Sequence, residues 1–295
     1  MLGRPEMKYA FIKDHRDKFE VALMCNVLAV SRSGFYDWLT RDNSTKNIRL
    51  ELIKLEIRSI FKKSRKTYGV PRMLKALLAK GYKIGKEKVA ELMRIIGLKP
   101  KASKRFKALT TQSKHKYPVV SNKLNQDFSC ITPNKKWVGD VTFIDTDEGW
   151  LYLAAVLDLC TRKIVGWAMY EANDRHLTIS ALTMALKRQK VASNLLFHSD
   201  RGSNYACFDF QDMLTDLGLE ASMSRSGCCY DNAVMESFFH TLKTEFVHHE
   251  NFATKQQAKD AIFEWIEVFY NRERIHSSIG YKTPVAFEEE FMLIA

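Results

Sequence analysis

Three acidic residues stand where acids are unusual: Asp140, Asp200 and Glu236. Asp140 lies in the middle of the apolar stretch WVGDVTFI (137–144), Asp200 lies within FHSDRGSNY (197–205) at the end of a short apolar run, and Glu236 falls within SRSGCCYDNAVMESFFHTLKTE (224–245). Three carboxylates brought together repel one another unless a hard divalent cation neutralises them. Oxygen-only ligands with room for water suit Mg²⁺ or Mn²⁺. Two such ions, about 3.5–4 Å apart, activate a water or a 3′-hydroxyl and stabilise the leaving oxygen of an in-line attack on a phosphodiester. Taken singly, each acid has a plain structural reading. A helix Glu is most often a solvated surface charge. A strand Asp can be structural, as Asp158 reads in the equally apolar WLYLAAVLDL, with Thr161 or Arg162 as its partner.

The elements that must position these acids can be read from periodicity. In the stretch 224–245, Ser226, Gly227, Asp231 and Asn232 are turn and cap residues, and the helical pattern starts at Ala233. Met235, Phe238, Phe239, Leu242 and Phe246 make one apolar stripe. Glu236, His240 and Lys243 share another face. Lys243 follows Glu236 by roughly 700° of helix and about 10.5 Å of rise. From there its flexible stem reaches DNA a few nucleotides from a phosphate held at Glu236. Upstream, 137–144, 150–159 and 163–170 read as three strands of an antiparallel meander. A helix (177–189), a strand (195–198), a helix ending at Gly218, a strand (219–223) and the Glu236 helix follow, then a long helix over 255–270. This is an α/β domain, 135–275, with a mixed five-stranded sheet. The remainder, 276–295, reads as a tail interrupted by Pro284. Sites in such sheets form where adjacent strands end or part. If the first and fourth strands are neighbours, Asp140 and Asp200 face each other and the helix brings in Glu236.

The rest of the chain points to a polyanion. Residues 1–117 hold 29 Lys and Arg against 10 Asp and Glu, whereas 118–295 hold 17 against 24. A basic front half is the electrostatic footprint of nucleic-acid binding. FEVALMCNVLAVSRSGFYDWL (19–39), with Ser31 as an N-cap, fits a helix-turn-helix unit within 1–45. A second such unit, 46–100, has helices over 50–63, from Pro71 to Gly81, and over 86–96, and its outer faces carry Arg72, Lys75, Lys86, Lys88 and Arg94. Residues 101–134 read as a basic linker, partly disordered until DNA binds. Six scattered cysteines show no zinc-binding spacing and fit a reducing compartment. With charges throughout the first twenty residues and no span-length apolar run, no signal peptide or membrane segment is expected, and the expected location is cytoplasmic, on the nucleoid when DNA-bound. Met7 begins a plausible start of its own, with residues 1–6 as an extension.

Asp140, Asp200 and Glu236, with 35 residues between the last two, resemble the D,D-35-E pattern of retroviral-type integrases and bacterial insertion-sequence transposases. WVGDVTFI, LAAVLDLCTRKIVGWAM, FHSDRGSNY, SGCCYDNAVMESFFHTLKTE and YNRERIHSSIGYKTPVAFE resemble the second-frame (orfB-type) transposases of the insertion-sequence-three family. LMCNVLAVSRSGFYDWL and YGVPRMLKALLAKGYKIGKEKVAELMRIIGL are similar to that family's paired N-terminal helix-turn-helix segments, so the resemblance covers nearly the whole chain. It implies a ribonuclease H-like catalytic core with Asp140, Asp200 and Glu236 as catalytic metal ligands for two Mg²⁺ or Mn²⁺ ions. Lys243 matches a basic position that contacts the element's end, and Asn204 stands where the family more often has Gln. The implied partners are double-stranded DNA (terminal inverted repeats and target), further copies of the chain on that DNA, and an upstream-frame protein of the same element. The implied function is metal-dependent DNA cleavage and strand transfer. A catalytically silent DNA-binding repressor and a structure-specific nuclease on the same fold are the alternatives.

Overall fold

The computed structural model describes residues 4–41, 45–101, 116–191 and 194–294, and forms two compact units, Met1–Lys99 and Pro100–Ala295. The first unit is all helical: α1 (Pro5–His15), α2 (Val21–Val27), α3 (Arg32–Arg41), α4 (Thr45–Lys63), α5 (Val70–Ala79) and α6 (Lys86–Ile95). Helices α1–α3 close around Ile12, Met24, Cys25 and Phe35. Ser31 caps α3 as its sequence position requires, accepting a hydrogen bond from the Gly34 N–H at 3.2 Å. The α1 helix was not anticipated from periodicity; its Ile12 and Tyr9 complete the small core. In α4–α6, Ile53, Ile57, Met73, Leu77, Val89 and Leu92 are buried. Pro71 sits in the first turn of α5, where its missing N–H costs nothing.

The second unit contains strands β1 (Lys136–Ile144), β2 (Leu151–Asp158), β3 (Ile164–Tyr170), β4 (Leu196–Ser199) and β5 (Glu220–Met223). Its helices are α7 (Arg175–Arg188), α8 (Ser203–Ala206), α9 (Phe208–Asp216), α10 (Ala233–Glu245), α11 (Lys255–Glu264) and α12 (Pro284–Ile294). The sheet order is β3-β2-β1-β4-β5. β1–β3 are an antiparallel meander, and β4 and β5 run parallel to β1, so the sheet is mixed as the pattern requires. Alternation assigns its faces. Trp137 of β1 joins Phe197, Leu177, Ala181 and Phe210 on the side of α7 and α9. Val138 and Ile144 join Met235, Phe238, Leu242, Ile262 and Trp265 on the side of α10 and α11. At Gly166 β3 approaches α7 closely: a Cβ there would run into the Ala181 carbonyl oxygen and the Ala185 side chain. Among the described residues no helix is long and apolar enough to cross a membrane.

Three boundaries differ from the sequence reading. Residues 116–134, assigned to a linker, belong to the core unit: Leu124 is buried in it, and Asn122 and Gln126 bond to Asp231. The basic residues between 102 and 115 lie outside the described residues. The tail contains α12, because Pro284 is that helix's first residue rather than a breaker. The long helix after α10 changes at Trp265 into a π-helix, Trp265–Glu273, which turns Asn271 inward to bond both the N–H and the carbonyl of Ile164 at 3.0 Å.

Candidate active site

The β1–β4 register decides where two of the acids meet. Val138 pairs with His198 in parallel, and continuing two residues brings Asp140 level with Asp200 just beyond the end of β4. Both then share the face of Val138, against which α10 packs, and α10 carries Glu236 in its first turn. The electrostatics agree with this convergence. Burial first, then the charge of Asp200 and more weakly that of Glu236, push the Asp140 carboxyl well above the usual range; the Val141 N–H and Lys243 oppose this. Partial desolvation raises Glu236, whose residue as a whole stays exposed. Asp200 is braced by the Gly202 N–H, which donates to its Oδ1 at 2.9 Å. Among the described residues no three acid, histidine or cysteine groups are already drawn together around a metal position. The donor set is nevertheless the all-oxygen one that a hard cation takes, and the mutual repulsion written into Asp140 is what such a cation relieves.

Several residues that the sequence did not single out for this role surround the acids. Tyr205, fully buried, has its hydroxyl 3.3 Å from where a Cβ on Gly139 would sit. Burial and then the charges of Asp140 and Asp200 raise its pKa well above the usual tyrosine value. His198, two residues before Asp200, has no exposure; its ring nitrogens lie 2.8 Å from Ser222 Oγ and 3.1 Å from Ser224 Oγ, tying β4 to β5. Burial pulls its pKa down to about 4, so it is a neutral structural imidazole. Asp158 is likewise structural, accepting from the N–H groups of Asn134, Cys160 and Thr161 and from the Thr161 hydroxyl.

Asp231 and Asn232 do not cap α10. Asp231 accepts from the Arg225 N–H and guanidinium and from Asn122, Gln126 and Cys228, while the Asn232 amide donates to the Gly139 carbonyl at 3.2 Å. Asn122, Gln126 and Gly139 lie far away in sequence, where a local turn reading cannot find them.

Lys243 departs most from its expected place. The DNA-reaching position puts its ammonium in solvent; the structure buries the residue to 6 % exposure and sets Nζ 4.4 Å from the Phe143 ring centroid. Lys243 lies near the face of Glu236, but about two turns beyond that residue Phe143 of β1 covers it. Burial lowers the Lys243 pKa to about 8, with the Asp140 charge opposing. Its charge bears on Asp140.

On the first unit, Lys75, Lys86 and Arg94 are exposed. Arg72 is half-buried with its guanidinium 6.0 Å from the Tyr68 ring centroid. Lys88 pairs with Glu91 of its own helix at 2.9 Å.

Comparison with known proteins supplies matches along most of the chain. Two family models described as "Integrase core domain" match residues 132–229 and 236–292, and one described as "HTH-like domain" matches 48–106. The chain is 43% identical over 286 residues to the transposase InsF for insertion sequence IS3A of Escherichia coli K12, covering 96% of this chain and 99% of that one. It is 44% identical over 272 residues to the 31 kDa protein of insertion element IS600 of Shigella sonnei, covering 92% and 100%. Among solved structures it is similar to the HTLV-2 integrase catalytic core domain in complex with magnesium, with 16% identity and a TM-score of 0.42 over 54% of this chain and 99% of that one.

Proposed function

The chain belongs to the IS3 family of insertion-sequence transposases, enzymes that cleave DNA strands and join them to new sites, and we propose that Asp140, Asp200 and Glu236 carry that chemistry. What supports this reading is the β1–β4 register, which ends two residues short of Asp140 and Asp200 and in extension aligns them, together with the charge of Asp200 acting on Asp140. The proposed cofactor is a pair of Mg²⁺ or Mn²⁺ ions held by these carboxylates. Such a pair supplies the Lewis acidity that activates a water or 3′-hydroxyl and stabilises the leaving oxygen.

The chain's own residues prepare the site for that work. Asp140, in the middle of β1, and Asp200, just beyond the end of β4, form its inner wall. Glu236, on the exposed side of α10, completes it. Tyr205 and Phe197 close the floor below Gly139 and exclude water from it. Lys243 places a positive charge near Asp140 and offsets part of the repulsion among the acids.

DNA is the partner. Residues 1–45 and 46–100 are proposed as its two binding units, with Lys75, Lys86 and Arg94 as phosphate contacts and Arg72 and Lys88 in supporting positions. Further copies of the chain on the DNA, and an upstream-frame protein of the element, are proposed partners. A strand-transfer assay with labelled element ends tests the whole reading. Joined product with Mg²⁺, abolished by Asp140→Asn, Asp200→Asn or Glu236→Gln, supports it. Cleavage without joining indicates a nuclease, and bound but uncut DNA a repressor.

A further inference from the structure

Building on the three-acid site, we propose that Asn232 is a positioning residue: it fixes Glu236 relative to Asp140 and offers a neutral acceptor to the hydroxyl or water donor that reacts there. Asn232 is 5 % exposed and stands at the N-terminal boundary of α10, one helical turn before Glu236. An Asn at that boundary ordinarily caps the helix, but this side chain makes no cap bond. Its Nδ2 instead donates to the carbonyl of Gly139, the residue before Asp140, at 3.2 Å. One amide thus links the strand that carries one acid to the helix that carries another.

Oδ1 of Asn232 is buried and has no hydrogen-bond partner, one of three such side-chain atoms among the described residues. Exchanging the two ends of the amide would set oxygen against the Gly139 oxygen, so the orientation is fixed by its surroundings. A buried acceptor without a donor costs free energy and calls for a role. Here the donor comes with the reaction: a water or 3′-hydroxyl entering between the acids has a proton to share. A carboxylate in this place would accept as well, but it would add a fourth negative charge to a site where Asp140 is already raised by its neighbours. The neighbouring Asp231, with no exposure and bonded to Arg225, Asn122 and Gln126, holds the backbone at Asn232 in place.

The test uses the full chain with element-end DNA and compares Asn232→Ala and Asn232→Asp with wild type and Asp140→Asn. Expected for Asn232→Ala are DNA-end affinity within about twofold and a cleavage rate at saturating DNA reduced about 100-fold, the usual effect of an ångström-scale misplacement. The half-saturating Mg²⁺ concentration should rise about tenfold, as for the loss of a group that orients metal ligands, with partial recovery in Mn²⁺. Without DNA, the upward shift of melting temperature on adding Mg²⁺ should shrink. Asn232→Asp keeps the shape, so it should fold even if the alanine variant does not; it loses the donor to Gly139, and its cleavage rate should fall similarly. Wild-type rate and Mg²⁺ dependence in the folded fraction of either variant would overturn the proposal. If Asp140→Asn is inactive while both Asn232 variants behave as wild type, only the role of Asn232 falls. If Asp140→Asn cleaves as wild type does, the three-acid reading itself falls.

Discussion

Asp231→Asn tests how the loop before α10 is held. The carboxylate has no exposure. Its Oδ2 accepts from the Arg225 N–H at 2.8 Å, Arg225 Nε at 3.1 Å and Asn122 Nδ2 at 2.9 Å; Oδ1 accepts from Arg225 Nη2 at 2.8 Å and Gln126 Nε2 at 2.8 Å. Asparagine preserves the volume but turns an NH₂ group toward donors, stranding those that met one oxygen. The Arg225 guanidinium is half exposed, so water recovers most of its charge and the ion pair itself contributes little. The stranded backbone N–H and amide donors dominate, at about 1–2 kcal/mol each, for a total of about 3 kcal/mol. In a unit of this size that lowers the melting temperature by about 6–12 °C. The sign with pH is fixed as well. These partners, Arg225 foremost, hold the folded Asp231 far below its ordinary value of 3.8. Its contribution is therefore complete above the unfolded value and fades as pH falls below it toward the folded one. Metal-free calorimetry should show the full gap between wild type and variant at pH 7 and a narrowing gap from about pH 4 downward. A variant melting within 1 °C of wild type at pH 7, or a gap that does not narrow in acid, would refute this account of the loop.

In metal-free buffer at pH 7, Asp140→Asn should melt above wild type, because the raised carboxyl contributes stability only while protonated and loses it as pH rises through its folded value. The difference should vanish toward pH 4, and Mg²⁺ should raise the melting temperature of wild type alone; a variant less stable than wild type at pH 7 contradicts the crowding of acids. Lys243→Met fills the same space without the charge, and should slow cleavage at saturating DNA about tenfold, equivalent to about 1.4 kcal/mol, with end affinity unchanged. Weakened binding with an unchanged saturated rate would return Lys243 to a DNA-anchoring role. Gly166→Ala should cost about 1–3 kcal/mol in denaturant unfolding through overpacking against α7, and a neutral effect would mean that the strand and helix separate easily.

The fold was legible wherever period and burial coincide. The meander of β1–β3 and the stripe Met235, Phe238, Phe239 and Leu242 stand in the structure as the sequence places them, because each repeats one local pattern against one core. The convergence of Asp140 and Asp200 needed only strand parity and the adjacency of β1 and β4. What escaped depends on partners distant in sequence. Asn122 and Gln126 in a segment of weak periodicity meet Asp231, and Phe143 covers a helix face that counting alone leaves to solvent. Asn232 has the residue type and place of a cap, and only the approach of Gly139 diverts it. In α12, Pro284 signals a stop or a start equally well until the next residues are seen to be helical.

The central claim is that Asp140, Asp200 and Glu236 hold the reactive metal. Anomalous scattering from crystals of the protein bound to an element end and soaked in Mn²⁺ measures this directly. A peak at bonding distance from carboxylate oxygens of both Asp140 and Asp200, with Glu236 bound to it or to a second peak beside it, is the predicted result. Manganese bound elsewhere, with Asp140 ligating nothing, would contradict it.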